Sequence, residues 1–168
     1  VRVPRDAIAE QILGGELLSL NALTDGARSV LPFEAPRVLG QTQAGQTRAA
    51  VFTFLSGSKI KTGKIAPDAL VLASVASTLR AIHTLPQALV HDAGLPIWSA
   101  TESRENAERL VQRANATRLL PASVEHRWNE VLEDVSLWEF EPTVTHGNLS
   151  VDQLLVHNEH VTGVLGWS

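Results

Sequence analysis

Residues 144–167 constrain the fold more than any other stretch. Val144-Thr145-His146-Gly147-Asn148-Leu149-Ser150-Val151-Asp152-Gln153-Leu154-Leu155-Val156 begins extended, passes through a polar loop and closes in a short apolar run. Val161-Thr162-Gly163-Val164-Leu165-Gly166-Trp167 supplies a second run, and His157-Asn158-Glu159-His160 joins the two. Short apolar runs bounded by turn residues predict a pair of strands.

The chain before this stretch alternates strands and helices. Val1-Arg2-Val3-Pro4-Arg5 alternates apolar and basic residues and stops at a proline, which predicts a strand end. Asp6 is a candidate N-cap. The helix after it should reach about Leu23, with Ile8, Ile12, Leu13, Leu17, Leu20 and Leu23 near helical spacing. Gly14-Gly15 weakens it, by about 1 kcal/mol per glycine relative to Ala, and Thr24-Asp25-Gly26 should end it. Residues 37–42 and 48–55 read as a hairpin turning at 43–46.

The rest is mainly helical. Lys59-Ile60-Lys61-Thr62-Gly63-Lys64 reads as a solvated basic loop. Pro67 opens a helix to about His83, with Leu72, Val75, Leu79 and Ile82 on one face. His83 suits a helix C-terminus without any catalytic role. Residues 87–98 read as loop. Thr101 should cap a polar helix to about Ala116, with Glu105 and Arg109 as an i,i+4 pair. Pro121 should open a last helix, where Val124, Trp128, Val131, Leu132 and Val135 mark a core face.

Composition excludes several classes. Of 168 residues, 44% are hydrophobic and 19% charged, as in a soluble globular protein. A net charge of −4 without a basic run argues against nucleic acid as a partner. No apolar stretch suggests a membrane span and no signal peptide opens the chain, so a cytoplasmic location is expected. The absence of Cys excludes disulfides and thiolate metal sites. Ser150 lacks a G-x-S-x-G setting, and the six His show no metal-binding spacing.

The 144–167 stretch resembles the catalytic segment of the aminoglycoside and macrolide phosphotransferases, a branch of the protein-kinase-like fold. There the loop reads H-G-D-x-x-x-x-N and the second strand ends in I-D-W or similar. His146, Gly147 and Trp167 match. Asn148 stands at the catalytic Asp position, Gln153 at the metal-binding Asn and Gly166 at the second metal-binding Asp. Arg2 stands where the family's phosphate-holding basic residue lies, and Glu16 at the spacing of its helix partner. A surface Arg and a solvated Glu remain the alternative for that pair. Phe54-Leu55-Ser56-Gly57 looks like the hinge whose backbone would bond an adenine.

The resemblance implies an α+β, kinase-like chain, with a small β-rich N-terminal lobe over 1–57 and a mainly helical C-terminal lobe over 58–168. It also implies truncation at both ends, because no Gly-rich loop precedes Arg2 and no helices follow Trp167. The implied cofactors are ATP and Mg²⁺. The implied activity moves the ATP γ-phosphate to a hydroxyl of a small molecule. Glu133, Asp134, Glu139 and Glu141 could meet a cationic substrate or form an ordinary solvated face.

The substituted positions weaken that chemistry. Asn148 can orient a hydroxyl but cannot take its proton at neutral pH, and general-base catalysis is worth about 10²–10⁴-fold. Mg²⁺ prefers carboxylate oxygens. Gln153 offers only a carbonyl on a longer arm, and Gly166 offers nothing. Asp152 should point away from Gln153, and His146 should bond backbone to shape the loop. Two readings stand: a small-molecule kinase with an impaired site, and an inactive pseudokinase-like protein that binds a nucleotide, another ligand or a partner.

Overall fold

The computed structural model describes residues 1–45, 47–60 and 69–167. The chain forms two compact units, one from Val1–Leu95 with Thr143–Ser168 and one from Pro96–Pro142.

The first unit begins with α1 (Ala7–Ala22), capped by the Asp6 carboxylate accepting from the Ala9 N–H at 2.7 Å. Only Arg2 of the expected leading strand pairs, in a single antiparallel bridge to Ala50; Pro4, with no N–H, cannot extend it. Thr24 ends α1 but also caps a short α2 (Asp25–Ser29), so the expected stop is a helix–helix corner. The hairpin pairs β1 (Val38–Ala44) with β2 (Thr47–Phe52), from Val38↔Phe52 to Ala44↔Thr47. Gln43 and Ala44, expected in the turn, remain in the strand, and Gly45 has φ +68°.

A second antiparallel sheet has the order β3 (Ser58–Lys59), β4 (Leu154–His157), β5 (His160–Val164). Lys59 is thus paired rather than looped, while the rest of the expected basic loop from Lys61, and Pro67, lie outside the described residues. Asn158 and Glu159, both at positive φ, form the tight turn between β4 and β5. Gly57, at φ +131°, lies so close to this sheet that a Cβ would come within 3.0 Å of the Leu155 Cβ.

Helix α3 (Ala69–His83) covers β5. Its buried side runs through Val75, Thr78 and Ile82, whereas Leu72 and Leu79 are exposed. Val75 and Ile82 of the expected face are thus on the core side, and Thr78 stands there in place of Leu72 and Leu79. Thr78 can be buried because its hydroxyl donates to the Ser74 carbonyl at 2.9 Å, while Ser74 Oγ accepts the Val161 N–H at 2.8 Å. Leu20, Leu23, Phe33, Ile82, Leu154, Val164 and Trp167 belong to one core; Leu13, Leu17 and Ala50 form a smaller one. Within the stretch expected as loop lies a short α4 (Ala88–Asp92).

The second unit pairs α5 (Ala100–Ala116) with α6 (Ala122–Glu133). Ser99, not Thr101, caps α5, in a capping box with Glu102. The α5 ion pair is Arg104–Glu108 at 3.4 Å rather than Glu105–Arg109. The core face expected on α6 is not buried: Trp128 is 36% exposed, Val131 and Val135 are exposed, and Val124 and Leu132 are half-buried.

Candidate functional site

The residues expected at the catalytic, metal and nucleotide positions all lie in the first unit, on three pieces of chain, whereas Glu133, Asp134, Glu139 and Glu141 lie in the second and are exposed. The strand bridge at Arg2 and the inner face of α1 meet first. Arg2 Nη1 bonds Glu16 Oε2 in an ion pair, and the Arg2 guanidinium lies 5.1 Å from the Phe52 ring centroid. Glu16 is 3% exposed, and its Oε1 has no hydrogen-bond partner. A solvated glutamate is therefore ruled out. A carboxylate is kept in the core by one guanidinium, whose backbone is pinned by mutual bonds with Ala50 at 2.8 and 3.0 Å.

The second piece follows β2. Phe54 is 91% exposed and Leu55 is buried. Neither residue's backbone N–H or C=O bonds any described residue, so this segment presents an open polar edge. A cleft of about 370 Å³ adjoins it, lined by Thr53, Phe54 and Leu55 together with Phe33, Arg28 and Arg37 among others.

The third piece is the loop from His146 to Gln153 with the turn at Gly166. His146 is buried, its ring centroid 4.8 Å from that of Trp167. Its Nε2 lies 2.9 Å from the Leu165 carbonyl, so Nε2 carries the proton and Nδ1 is left a buried acceptor without a partner. His146 thus ties the loop to the residue before Gly166. Asn148 is exposed. Gln153 ends a one-turn 3₁₀ helix (Val151–Gln153), where its Oε1 accepts the Ser150 N–H at 2.9 Å and its carbonyl accepts the Leu165 N–H at 2.9 Å. Asp152 turns to the Ser150 hydroxyl at 2.5 Å, which with its own backbone N–H and nearby Lys59 holds its carboxyl below the usual range.

The two positions expected at the metal touch. Gly166 has φ +72°, and a Cβ there would lie 2.6 Å from Gln153 Nε2 and 3.0 Å from its Cδ. The Gln153 amide fills the space a residue-166 side chain would enter. Its oxygen is committed to Ser150, and no group of three or more His, Asp or Glu that could hold a metal occurs among the described residues. This donor set does not fit Mg²⁺, which needs charged oxygens.

Gly166→Asp alone should therefore destabilise the protein by about 1–3 kcal/mol, from the positive φ and the contact with Gln153. Adding Gln153→Asn, which shortens that arm, should restore about half, as read from urea melts. An undiminished single variant would show that the Gln153 amide moves aside freely.

Burial pushes the His146 pKa down, against the raising effect of the Leu165 carbonyl. Between this lowered value and the ordinary one near 6.5, the unfolded chain binds more protons than the folded one. Stability should therefore fall as the pH drops below about 6.5, at up to about 1.4 kcal/mol per pH unit from this group. His146→Gln should flatten that part of the profile; an unchanged slope would assign it to other groups.

Sequence reasoning named these residues but missed Arg28, which is half-buried and donates to four carbonyls, those of Leu20, Leu23, Ala35 and Pro36. A basic residue just past a helix end was the available signal.

The model of the phosphotransferase enzyme family matches residues 9–168. A structure of macrolide 2′-phosphotransferase type I is 30% identical, with a TM-score of 0.77 over 99% of this chain and 56% of that one. Macrolide 2′-phosphotransferase MphH from Brachybacterium faecium, as apoenzyme, is 21% identical, with a TM-score of 0.78 over 99% of this chain and 56% of that one. The GDP and kanamycin complex of APH(2")-IIia is 18% identical, with a TM-score of 0.76 over 99% of this chain and 60% of that one. The chain thus spans little more than half the length of these structures. A search of curated proteins gave no match.

Proposed function

The chain belongs to the phosphotransferase enzyme family, and from that premise we propose that it is a nucleotide-binding relative of the macrolide and aminoglycoside kinases whose transfer step is strongly impaired. The observation that carries this reading is the Gln153 amide seated against Gly166, where a metal-binding carboxylate would be needed. In this reading Arg2, held by Glu16, faces the phosphates, and the open backbone of Phe54 and Leu55 takes the base. His146 holds the loop, and Asn148 orients an acceptor hydroxyl without removing its proton.

The 30% identical structure is a macrolide phosphotransferase, so a macrolide hydroxyl is the first acceptor to try and an aminoglycoside the second. ATP is the first nucleotide, and structures similar to this chain include complexes with GDP, ATP and ADP. No helix among the described residues is long and apolar enough to cross a membrane; a cytoplasmic setting without nucleic-acid partners completes the reading.

The missing base lowers transfer by about 10²–10⁴-fold, and the lost metal removes several kcal/mol more of charge stabilisation. The test is phosphate transfer from ATP to macrolides and aminoglycosides at saturating Mg²⁺, alongside ATP binding. Binding without measurable transfer is expected, with transfer appearing in the combined Asn148→Asp, Gln153→Asn, Gly166→Asp variant. Robust Mg²⁺-dependent turnover by the unmodified protein would overturn the reading.

A further inference from the structure

We propose that the cleft beside Phe54 and Leu55 is a small-molecule site of its own, and that it takes a zwitterion with an apolar body, such as an α-amino acid: Arg37 holds the carboxylate and Glu34 the ammonium. At about 370 Å³ the cleft falls within the range of such sites, about 300–1,000 Å³. Arg2, Glu16, His146, Asn148, Gln153 and Gly166 take no part in its walls. Only Phe54 and Leu55 are shared with the nucleotide reading, and the site stands whether or not a nucleotide binds.

Both charged groups rise from backbone that is already fixed. The Glu34 N–H donates to the Thr162 carbonyl and its carbonyl accepts the Val164 N–H, each at 2.9 Å. Phe33 and Ala35 on either side are buried in the core, so the Glu34 side chain emerges on the opposite face, where it is exposed. Its carboxylate bonds no described residue. The Arg37 N–H donates to Thr53 Oγ1 and its carbonyl accepts the Thr53 N–H, both at 2.9 Å. Nη1 is given to Asp25 at 2.6 Å, while Nε and Nη2 bond no described residue. That leaves one edge of the fork for a carboxylate. At most about 10 Å of chain separates residues 34 and 37, so their side chains can meet the two ends of one small molecule.

The mixed charge decides the ligand class. A simple anion would meet Glu34 in the same walls, and a simple cation would meet Arg28 and Arg37. Arg28 is committed to four carbonyls, which leaves Arg37 as the main donor. Burial, and then the nearby Arg37 charge, push the Arg28 pKa down, so two guanidiniums stand together at this end against the single Asp25 carboxylate. A molecule carrying both charges satisfies both ends. The Phe54 ring, 91% exposed, is free to cover its apolar body.

Titration of the full chain with L-phenylalanine, followed by calorimetry and by backbone amide NMR shifts, tests this. A Kd of about 1 mM is expected for a ligand of this size, with shifts at the Phe54 and Leu55 amides. L-phenylalaninamide lacks the carboxylate and N-acetyl-L-phenylalanine lacks the ammonium; each should bind about tenfold more weakly or worse, the equivalent of one charge-assisted hydrogen bond. Arg37→Gln and Glu34→Gln change exposed side chains and should leave the melting temperature nearly unchanged. Arg37→Gln should bring L-phenylalanine down to the affinity of its amide, and Glu34→Gln down to that of the N-acetyl compound. No binding of L-phenylalanine by about 20 mM, undiminished binding of either capped compound, or shifts that avoid Phe54 and Leu55 would overturn the assignment.

Discussion

Arg28→Ala is expected to destabilise the protein by about 3 kcal/mol, and Arg28→Lys to recover little of it. The guanidinium reaches the carbonyls of Leu23 and Ala35 at 2.8 Å, Leu20 at 2.9 Å and Pro36 at 3.1 Å. Two of these belong to the end of α1, where carbonyls lack helical partners. The other two lie on the segment leading into β1. One planar fork thus joins helix to hairpin and offsets the negative end of the α1 dipole. An ammonium is a point donor and cannot span this set. Leaving even two carbonyls unpaired in a half-buried place costs about 1–3 kcal/mol each, less where water enters. Urea unfolding of the two variants measures this. A lysine variant within about 0.5 kcal/mol of the parent would mean that solvent already satisfies the carbonyls. The consequence reaches the site, because Leu20 lies about one turn beyond Glu16 on the same helix. Loosening the α1 terminus should loosen the carboxylate that holds Arg2.

Local chemistry made much of this architecture readable from the chain. Asp6 before an apolar-periodic run gave the start of α1, and the runs around Asn158-Glu159 gave the β4–β5 pair. The motif spacing likewise identified His146, Gln153 and Gly166 as one constellation, and their resemblance carried the family. What stayed hidden depends on contacts between distant residues. Counting only apolar residues found Val75 and Ile82 on α3 but added Leu72 and Leu79 and passed over Thr78, because a threonine satisfied by its own helix can be buried more cheaply than polarity suggests. The stripe on α6 has helical period, yet Trp128, Val131 and Val135 stay exposed, and period alone does not say which stripe finds a partner. Arg28 satisfies four carbonyls brought together by the fold, which no periodicity encodes. The family resemblance put Gln153 and Gly166 at the expected ligand positions, but only the geometry revealed that the Gln153 amide fills the space a side chain on residue 166 would enter.

The Arg2–Glu16 pair should give the second large effect, and the form of the result separates a structural from a functional arginine. Glu16 is 3% exposed, whereas the Arg2 side chain is 46% exposed. Arg2→Ala strands a carboxylate in the core and should cost about 3 kcal/mol, the range for removing one partner of a buried pair. Glu16→Leu removes the buried charge along with its partner's bond, and should cost less because a leucine can pack beside Leu13, Leu17 and Ala50. With both changes, stability should return to within about 1 kcal/mol of the parent, so the cycle should give a strong favourable coupling. Thermal and urea melts of the four proteins supply it. Near-additive losses would mean that Arg2 is held by its Ala50 bridge and the Phe52 ring rather than by Glu16. If the coupling is strong, the stable double variant becomes the informative protein. It keeps the fold and lacks the cation, so its loss of ATP affinity would measure what Arg2 contributes to the phosphates apart from what it contributes to folding.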